Sequence, residues 1–174
     1  VAVLSLGGTV FATSIRVAGD TLDEAIINYV RRRHSLLIGE ATAERVKTTI
    51  GSAIEDADHR QMQIKGRDVT EGMSRSILIG SDEIYVAIND ALQRIVRAIR
   101  ETLENTPPEL SADIFERGMV IAGGGALLRD MDRRLMQETG LPVVVAEDPL
   151  TCVARGCGRA LEEIAVLGDV FASE

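Results

Sequence analysis

The sequence predicts an α/β fold: a mixed sheet with flanking helices and a small inserted α/β lobe. Three observations carry that reading. Residues 119–162 run strand, glycines, helix, strand, helix, the order of a parallel crossover that is right-handed and packs its helix on the sheet. The chain opens on two short apolar runs joined at Gly7-Gly8, a hairpin pattern. Between two amphipathic helices, residues 36–80 change to a short helix and two short strands with no Pro/Ser linker on either side, so they read as an insertion.

Taken in order, Val1-Ala2-Val3-Leu4-Ser5-Leu6 is an apolar strand that begins without an initiator Met, which suggests a piece of a longer protein. After the glycine turn, Phe11, Thr13, Ile15 and Val17 alternate with Ala12, Ser14 and Arg16, the period of a second strand. In "GDTLDEAIINYVRRRH", Thr21 and Glu24 have capping-box spacing, and Leu22, Ala25, Ile26, Tyr29 and Val30 form an apolar stripe. A short helix over 41–50 ends at Gly51. A polar stretch with Asp56, Asp58, His59 and Arg60 follows, then strands near 62–65 and 75–79.

Ser81 opens a long helix whose Ile84, Ile88, Ala91, Leu92, Ile95, Ile99 and Leu103 recur at helical spacing. Thr106-Pro107-Pro108-Glu109 starts another, with Pro at its first position and a capping-box Glu, and Gly118 ends it. A strand over 119–122, the glycines, a helix over about 127–138 capped by Gly140, a strand over 143–146 and a last helix from Asp148-Pro149 complete the pattern.

Composition sets the limits. The 174 residues suit one medium domain or a domain with a small lobe. With 45% hydrophobic residues, 3% aromatics and no Trp, the core must be aliphatic. A net charge of −8 and a pI near 4.9 argue against a nucleic-acid surface, which needs clustered positive charge. The one basic run, Arg31-Arg32-Arg33-His34, reads as cations at a helix C-terminus, with a partner patch as the alternative. Cys152 and Cys157 are five apart on a predicted helix and point in different directions, which fits reduced thiols. His34 and His59 have no metal-ligand spacing. No apolar run approaches a membrane span, and no leader is visible.

Gly123-Gly124-Gly125 stands where a strand hands over to a helix. In open α/β sheets ligands collect beyond the strand carboxyl ends, and helix N-termini present N–H groups to anions. The run contains neither a P-loop nor a Gly-x-Gly-x-x-Gly fingerprint. Taken by itself it serves either a turn that needs positive φ or the close approach of a ligand.

"RGMVIAGGGALLRDMD" resembles the adenosine motif of the actin, Hsp70 and sugar-kinase superfamily. Within it, "DEAIINYVRRRHSLLIGEATAERVKTTIGSA", "TPPELSADI" and "LPVVVAEDPLTCVARGCGRALE" resemble the MreB family of bacterial actins, and together these segments span almost the whole chain. The resemblance implies an actin-like (ribonuclease H-like) fold and the carboxy-terminal half of such a protein. Residues 1–35 and 81–174 would form subdomain IIA, and 36–80 the IIB insertion. It places the family's Asp-x-Gly-Gly-Gly-Thr phosphate loop just before Val1. The first phosphate loop and the residue polarising the attacking water would belong to the other half.

Residue by residue, the resemblance puts Gly123, Gly124, Gly125, Ala126 and Leu127 along the nucleoside and α-phosphate of ATP. It puts Glu44, Arg45, Val46 and Lys47 against adenine and ribose. Glu44 and Lys47 are i,i+3, so both can point one way. A Glu oxygen can accept from ribose hydroxyls while a Lys stem covers a base with its ammonium in water. Without the resemblance the same pair reads as a surface ion pair. Gly19-Asp20 is equally a solvated lead-in to the helix and is left out of the predicted site. Gly156 and Gly158 match the superfamily's second connecting motif, where two helices cross, and Arg155 beside them is expected in solvent.

The function implied is an ATP-binding cytoskeletal subunit that polymerises into membrane-associated filaments and maintains rod shape by organising cell-wall elongation. Partners would be further copies, a RodZ-type membrane protein and the elongation machinery. The place would be the cytoplasm at the inner face of the membrane, reached through the other half. No nucleic acid is expected. The intact protein would be a slow, Mg²⁺-dependent ATPase, and this piece inactive without its phosphate loops. The alternatives are a phosphotransferase of the sugar- or acetate-kinase type, which needs an acceptor pocket with a general base, and a chaperone ATPase lobe, disfavoured by the short tail from Val170 to Glu174.

Overall fold

The computed structural model describes residues 1–55 and 57–163; Asp56 of the polar stretch and the 170–174 tail lie outside the described residues. The elements are β1 (Ala2–Ser5), β2 (Gly8–Ala12), α1 (Gly19–His34), β3 (Leu36–Leu37), α2 (Glu40–Ile50), β4 (Gln61–Asp68), β5 (Ser74–Gly80), α3 (Ser81–Glu104), α4 (Pro108–Arg117), β6 (Met119–Ile121), a 3₁₀ turn (Gly124–Leu127), α5 (Met131–Thr139), β7 (Val143–Val145) and α6 (Cys152–Glu162). β6 and β7 pair in parallel around α5, as the crossover pattern predicts.

The core is aliphatic. Ile26 and Val30 of α1, Leu36 of β3, Val46 and Ile50 of α2, Ile64 of β4 and Ile79 of β5 are sealed from solvent together with Ile84, Ile88, Leu92 and Val96 of α3. They form one cluster that continues through Leu128, Met131 and Leu135 to Val143. Each such side chain contributes roughly 1.5–3 kcal/mol of burial. The 36–80 segment therefore shares its core with the helices on either side.

The sheets depart from expectation. The described strands form three separate sheets, β1-β2, β3-β4-β5 and β6-β7. The hairpin shares no ladder with the parallel pair, so each ribbon keeps open edges, with Leu4 and Val120 both 71% exposed. The hairpin turn falls at Leu6-Gly7 rather than Gly7-Gly8. A register shift between Val3 and Leu4 leaves Ser5 opposite Gly8, and Leu6 and Gly7 take φ of 50° and 81°. Two left-handed residues are what a two-residue hairpin turn needs. The second strand stops at Ala12 instead of reaching Val17, because Thr13 already bonds Val1, the first residue of its partner. β3 escapes the sequence pattern because two residues show no period.

Tertiary bonds also move helix starts. α5 begins at Met131, not near 127. Leu128 is extended and Asp130 left-handed, while Ala53 N–H donates to the Arg129 carbonyl at 2.9 Å. The last helix starts at Cys152 rather than Asp148-Pro149, since Asp148 is left-handed and the Pro149 carbonyl accepts Gly123 N–H at 2.8 Å. Neither predicted capping box forms. Thr21 Oγ1 accepts Ala18 N–H at 3.4 Å with no cap bond from Glu24. Thr106 Oγ1 is committed to the Thr102 carbonyl, so Pro107 takes the N-cap of α4. Gly156 and Gly158 have no neighbour within 4 Å, so no helix crosses α6 there among the described residues. Arg155 is exposed as expected.

Asp68, at the β4–β5 turn, accepts Thr70 N–H at 2.8 Å and Glu71 N–H at 3.1 Å and pairs with Arg75. The Glu71 and Thr70 backbone bonds, with the Arg75 charge, hold its carboxyl below the ordinary 3.8. A depressed carboxyl stabilises above its unfolded pKa and loses that contribution as pH falls through the folded one. Acid titration should therefore loosen this turn below about pH 4, with Thr70 and Glu71 amide exchange accelerating first and Asp68→Asn removing the pH dependence.

Gly118 and Gly140 separate two reasons for glycine. A Cβ on Gly118 would meet the Pro142 carbonyl oxygen at 2.1 Å, and its φ is +77°; Gly140 has φ +73° with nothing within 4 Å. Gly140→Ala should cost about 1–2 kcal/mol, the left-handed penalty alone. Gly118→Ala should cost at least about 3 kcal/mol, dihedral strain plus the clash. Urea unfolding midpoints of the two variants check the order.

Candidate functional site

A cleft of about 1110 Å³ opens between the start of α1, one face of α2 and the glycine corner after β6. That is slightly above the usual range of about 300–1,000 Å³ for small-molecule sites. On α2, Ala43, Val46 and Ile50 face the core, so Glu40, Glu44, Lys47 and Thr48 form the adjoining stripe along the cleft. Leu92 and Ile95 of α3 supply an apolar floor, and Leu128, Met131 and Leu150 close the far side.

The three glycines differ in what a side chain would meet. Gly123 has φ +81°, a conformation that other residues rarely adopt. A Cβ on Gly124 would sit 3.4 Å from Leu150 Cδ2, in ordinary contact. Gly125 has neither constraint: its φ is unremarkable for any residue and a Cβ there would meet nothing within 4 Å. Its missing side chain leaves open cleft. The 3₁₀ turn over Gly124–Leu127 stands between this corner and α5, so the corner does not lie at the N-terminus of an α-helix as the sequence pattern implied.

Of the predicted residues, the fold brings together Glu44, Lys47, Gly123, Gly124, Gly125 and Leu127 around one cleft. Arg45, one residue beyond the stripe, is exposed and does not line it. Val46 is sealed in the core, and Ala126, 8% exposed, is buried beneath the corner.

Lys47 behaves differently from either sequence reading. Its ammonium is neither free in water nor paired with Glu44. It donates to Asp23 Oδ2 at 2.7 Å and to the Gly19 carbonyl at 3.2 Å. Both side chains are largely buried, 14% exposed for Lys47 and 12% for Asp23. Asp23, Gly19 and Asp20 line the cleft and were absent from the predicted site. Asp23 was detectable: it lies three before Ile26 and seven before Val30, a carboxylate on the buried face of a helix. Leu150 left no signal, being a loop residue.

The lining is acidic. Asp20, Asp23, Glu24, Glu40 and Glu44 face it against one cation among the described lining residues, Lys47. Such a surface repels phosphate and suits a neutral ligand part carrying hydrogen-bond donors. Among the described residues no group of three or more His, Cys, Asp or Glu is placed to hold a metal ion.

The two walls are strapped together at one end. Arg129, after the glycine corner, pairs with Asp58 and donates to the Ile50 carbonyl at 3.3 Å, and Ser52 Oγ donates to Asp130 Oδ2 at 3.1 Å. Arg60 and Arg129 together hold the Asp58 carboxyl below its ordinary pKa.

A mixed α/β chain with small sheets and a cleft between helix α2 and a glycine corner has the build of an actin-like protein. Comparison bears this out. The family model described as "MreB/Mbl protein" matches residues 1–168. The cell shape-determining protein MreB of Escherichia coli K12 is 57% identical over 175 residues, covering 100% of this chain and 50% of that protein. The cell shape-determining protein Mbl of Bacillus subtilis 168 is 46% identical, covering 94% of this chain and 49% of that protein. Among solved structures, MreB5 of Spiroplasma citri bound to AMPPNP superposes with a TM-score of 0.89 at 40% identity, over 94% of this chain and 49% of that one. A MamK double helical filament, at 22% identity and TM-score 0.70, shows the shared fold. The chain belongs to the MreB/Mbl family of cell shape-determining, actin-like proteins, and spans about half the length of the curated relatives it matches.

Removing Lys47 strands a buried carboxylate. Lys47→Met should destabilise by roughly 3 kcal/mol, the low end for breaking a buried pair. Adding Asp23→Leu should recover most of that loss, since two apolar side chains leave no charge unpaired. Denaturant unfolding of the single and double variants checks both.

Proposed function

We propose that this chain is the nucleoside-holding half of an ATP-gated filament subunit, with residues 1–35 and 81–174 as subdomain IIA and 36–80 as IIB. Glu44, Lys47, Gly123, Gly124, Gly125 and Leu127 contact the nucleotide; Val46 and Ala126 support them from the core and Arg45 stands outside. ATP arrives with Mg²⁺ on its phosphates, which the acidic cleft leaves to the other half of the protein. Bound between the halves, the nucleotide favours a closed subunit that assembles with further copies, because a ligand preferring one state shifts the population toward it.

The observation that carries this reading is Gly125, whose empty side-chain position opens onto the cleft without any backbone requirement for glycine. AMPPNP and ADP in the structures of Spiroplasma citri MreB5 support the ligand class, and the MamK filament is consistent with assembly on this fold. We further propose that the filaments lie at the inner face of the cytoplasmic membrane, attached through the other half, and there meet a RodZ-type protein and the cell-wall elongation machinery. Among the described residues no helix is long and apolar enough to cross a membrane.

Gly125→Val in the intact protein tests the ligand reading. Its side chain enters open space, so the unfolding midpoint should hold, while ATP affinity falls at least about tenfold, or ~1.4 kcal/mol, and ATP-dependent assembly seen by light scattering falls with it. Unchanged ATP binding in a folded Gly125→Val protein would overturn the site.

A further inference from the structure

One end of the cleft is closed by two layers of contacts between its walls. The inner layer is buried. Ser52 and Ala53, just past α2, are 1% and 0% exposed. Ala53 N–H donates to the Arg129 carbonyl at 2.9 Å, and Ser52 Oγ donates to Asp130 Oδ2 at 3.1 Å while accepting Ile54 N–H at 3.2 Å. Asp130 is left-handed, with φ of 60°, and its Oδ1 accepts from Arg133 at 2.8 Å. Residues in such conformations persist where their surroundings over-determine them, and they gather at switching segments.

The outer layer is half-exposed and centres on Asp58. Its carbonyl accepts Ser81 Oγ at 3.2 Å, which ties it to the start of α3. Its carboxylate gathers two guanidinium groups, those of Arg60 and Arg129. Both also donate to the end of α2, Arg60 to the Thr49 carbonyl at 3.5 Å and Arg129 to the Ile50 carbonyl at 3.3 Å. Cations suit a helix C-terminus, so capping accounts for that much. Of the two, Arg129 alone also belongs to the opposite wall, where Leu127 and Leu128 of the lining lead directly into it. Lys47 and Thr48 of the lining lie within one turn of Ile50, so a single guanidinium joins the ends of both walls.

We propose that Asp58 and Arg129 form a latch across the end of the cleft, which sets how fast a bound nucleotide leaves. This role rests on the nucleotide reading above. The buried layer serves as the hinge and stays closed when the outer pair parts. Asp58 is 55% exposed, and such a pair contributes little to folding stability, so it opens without unfolding the chain. When it opens, Arg129 turns to solvent and leaves the Ile50 carbonyl. The last turn of α2, which carries Lys47 and Thr48, then loosens against the glycine corner.

The experiment is stopped-flow displacement of a fluorescent ATP analogue from the intact protein, for wild type, Asp58→Asn, Arg129→Gln, their double variant and Arg60→Gln. Asp58→Asn and Arg129→Gln should each raise the dissociation rate about three- to fivefold, the full worth of a half-exposed pair. The double variant should match the larger single effect, because both changes remove one contact. The ratio to wild type should shrink between about 0.05 M and 0.5 M salt, since screening weakens the wild-type pair as well. Arg60→Gln, which removes a cap from α2 but no link between the walls, should stay within about twofold of wild type. The unfolding midpoint of Asp58→Asn should hold. If Arg129→Gln does not fold, the rate and salt response of Asp58→Asn decide. Wild-type rates in the folded variants, multiplying effects in the double, a ratio indifferent to salt, or an Arg60→Gln as fast as Arg129→Gln would each overturn the latch while nucleotide binding stands. A wild type that binds no analogue would overturn the nucleotide reading itself.

Discussion

Ile26 and Val30 of α1 are sealed because that helix is gripped from two sides, by α2 and by α3. This double packing is the constraint on which the cleft depends. Leu22, Asp23, Ile26 and Val30 must serve one buried face, and Asp23 is the only charge on it. A carboxylate there is tolerable only with a cation beside it, and α2 supplies Lys47. The pair thereby fixes the rotation of α2 about its axis, and that rotation puts Glu40, Glu44 and Thr48 along the opening while Val46 turns inward. At the other end, the Arg129–Asp58 pair and the Ser52–Asp130 bond tie the loop after α2 to the segment after the glycine corner. A wall held at both ends has a set distance from the glycines opposite.

The charge of the cleft and the flatness of its far side belong together. Five carboxylates against one ammonium would expel a phosphate, yet a nucleotide is only half anion. Its base and sugar are neutral, donor-bearing and thin enough to lie against backbone. In the proposed function, an acidic stripe faced by glycines takes that end and leaves the phosphates to the other half of the protein. Under the proposed function this division of the ligand is also a division of the protein. Neither half alone satisfies the nucleotide, so the bound nucleotide becomes a measure of how closely the halves approach.

Much of this was legible in the sequence, and the failures share a cause. Long elements with strong periods, α1 and α3, follow from their apolar spacing, and Gly51, Gly118 and Gly140 mark helix ends as expected. Boundaries moved where a distant backbone group claimed a local one. The Ala53 bond to Arg129 delayed α5, and the Gly123 bond to Pro149 delayed α6. Local patterning carries no information about such bonds. At the site, a motif match named contiguous residues, Glu44 to Lys47 and Gly123 to Leu127, whereas a helix presents every third or fourth. Val46 had to fall inward for that reason. Asp23 was visible as an acid on an apolar stripe, but its meaning required the position of Lys47, 24 residues away in sequence.

The exposed apolar surface points the same way as the cleft. β1, β6, β7 and α6 show Leu4, Val120, Val144, Val153 and Leu161 to solvent, each more than half exposed. α4 and α6 bury no residue at all within the described chain. Single exposed aliphatics are ordinary, but several on elements with open strand edges are not, because such edges invite pairing. In a chain that spans half the length of its relatives, these surfaces are where the proposed subunit would meet its remainder. The core around α1 has no such gap, since its aliphatic residues are satisfied internally. Under the proposed function the nucleoside wall is built on the part of the chain whose core is closed, apart from these exposed elements. That arrangement lets the cleft keep its shape while the other half moves, which a subunit switched by nucleotide needs.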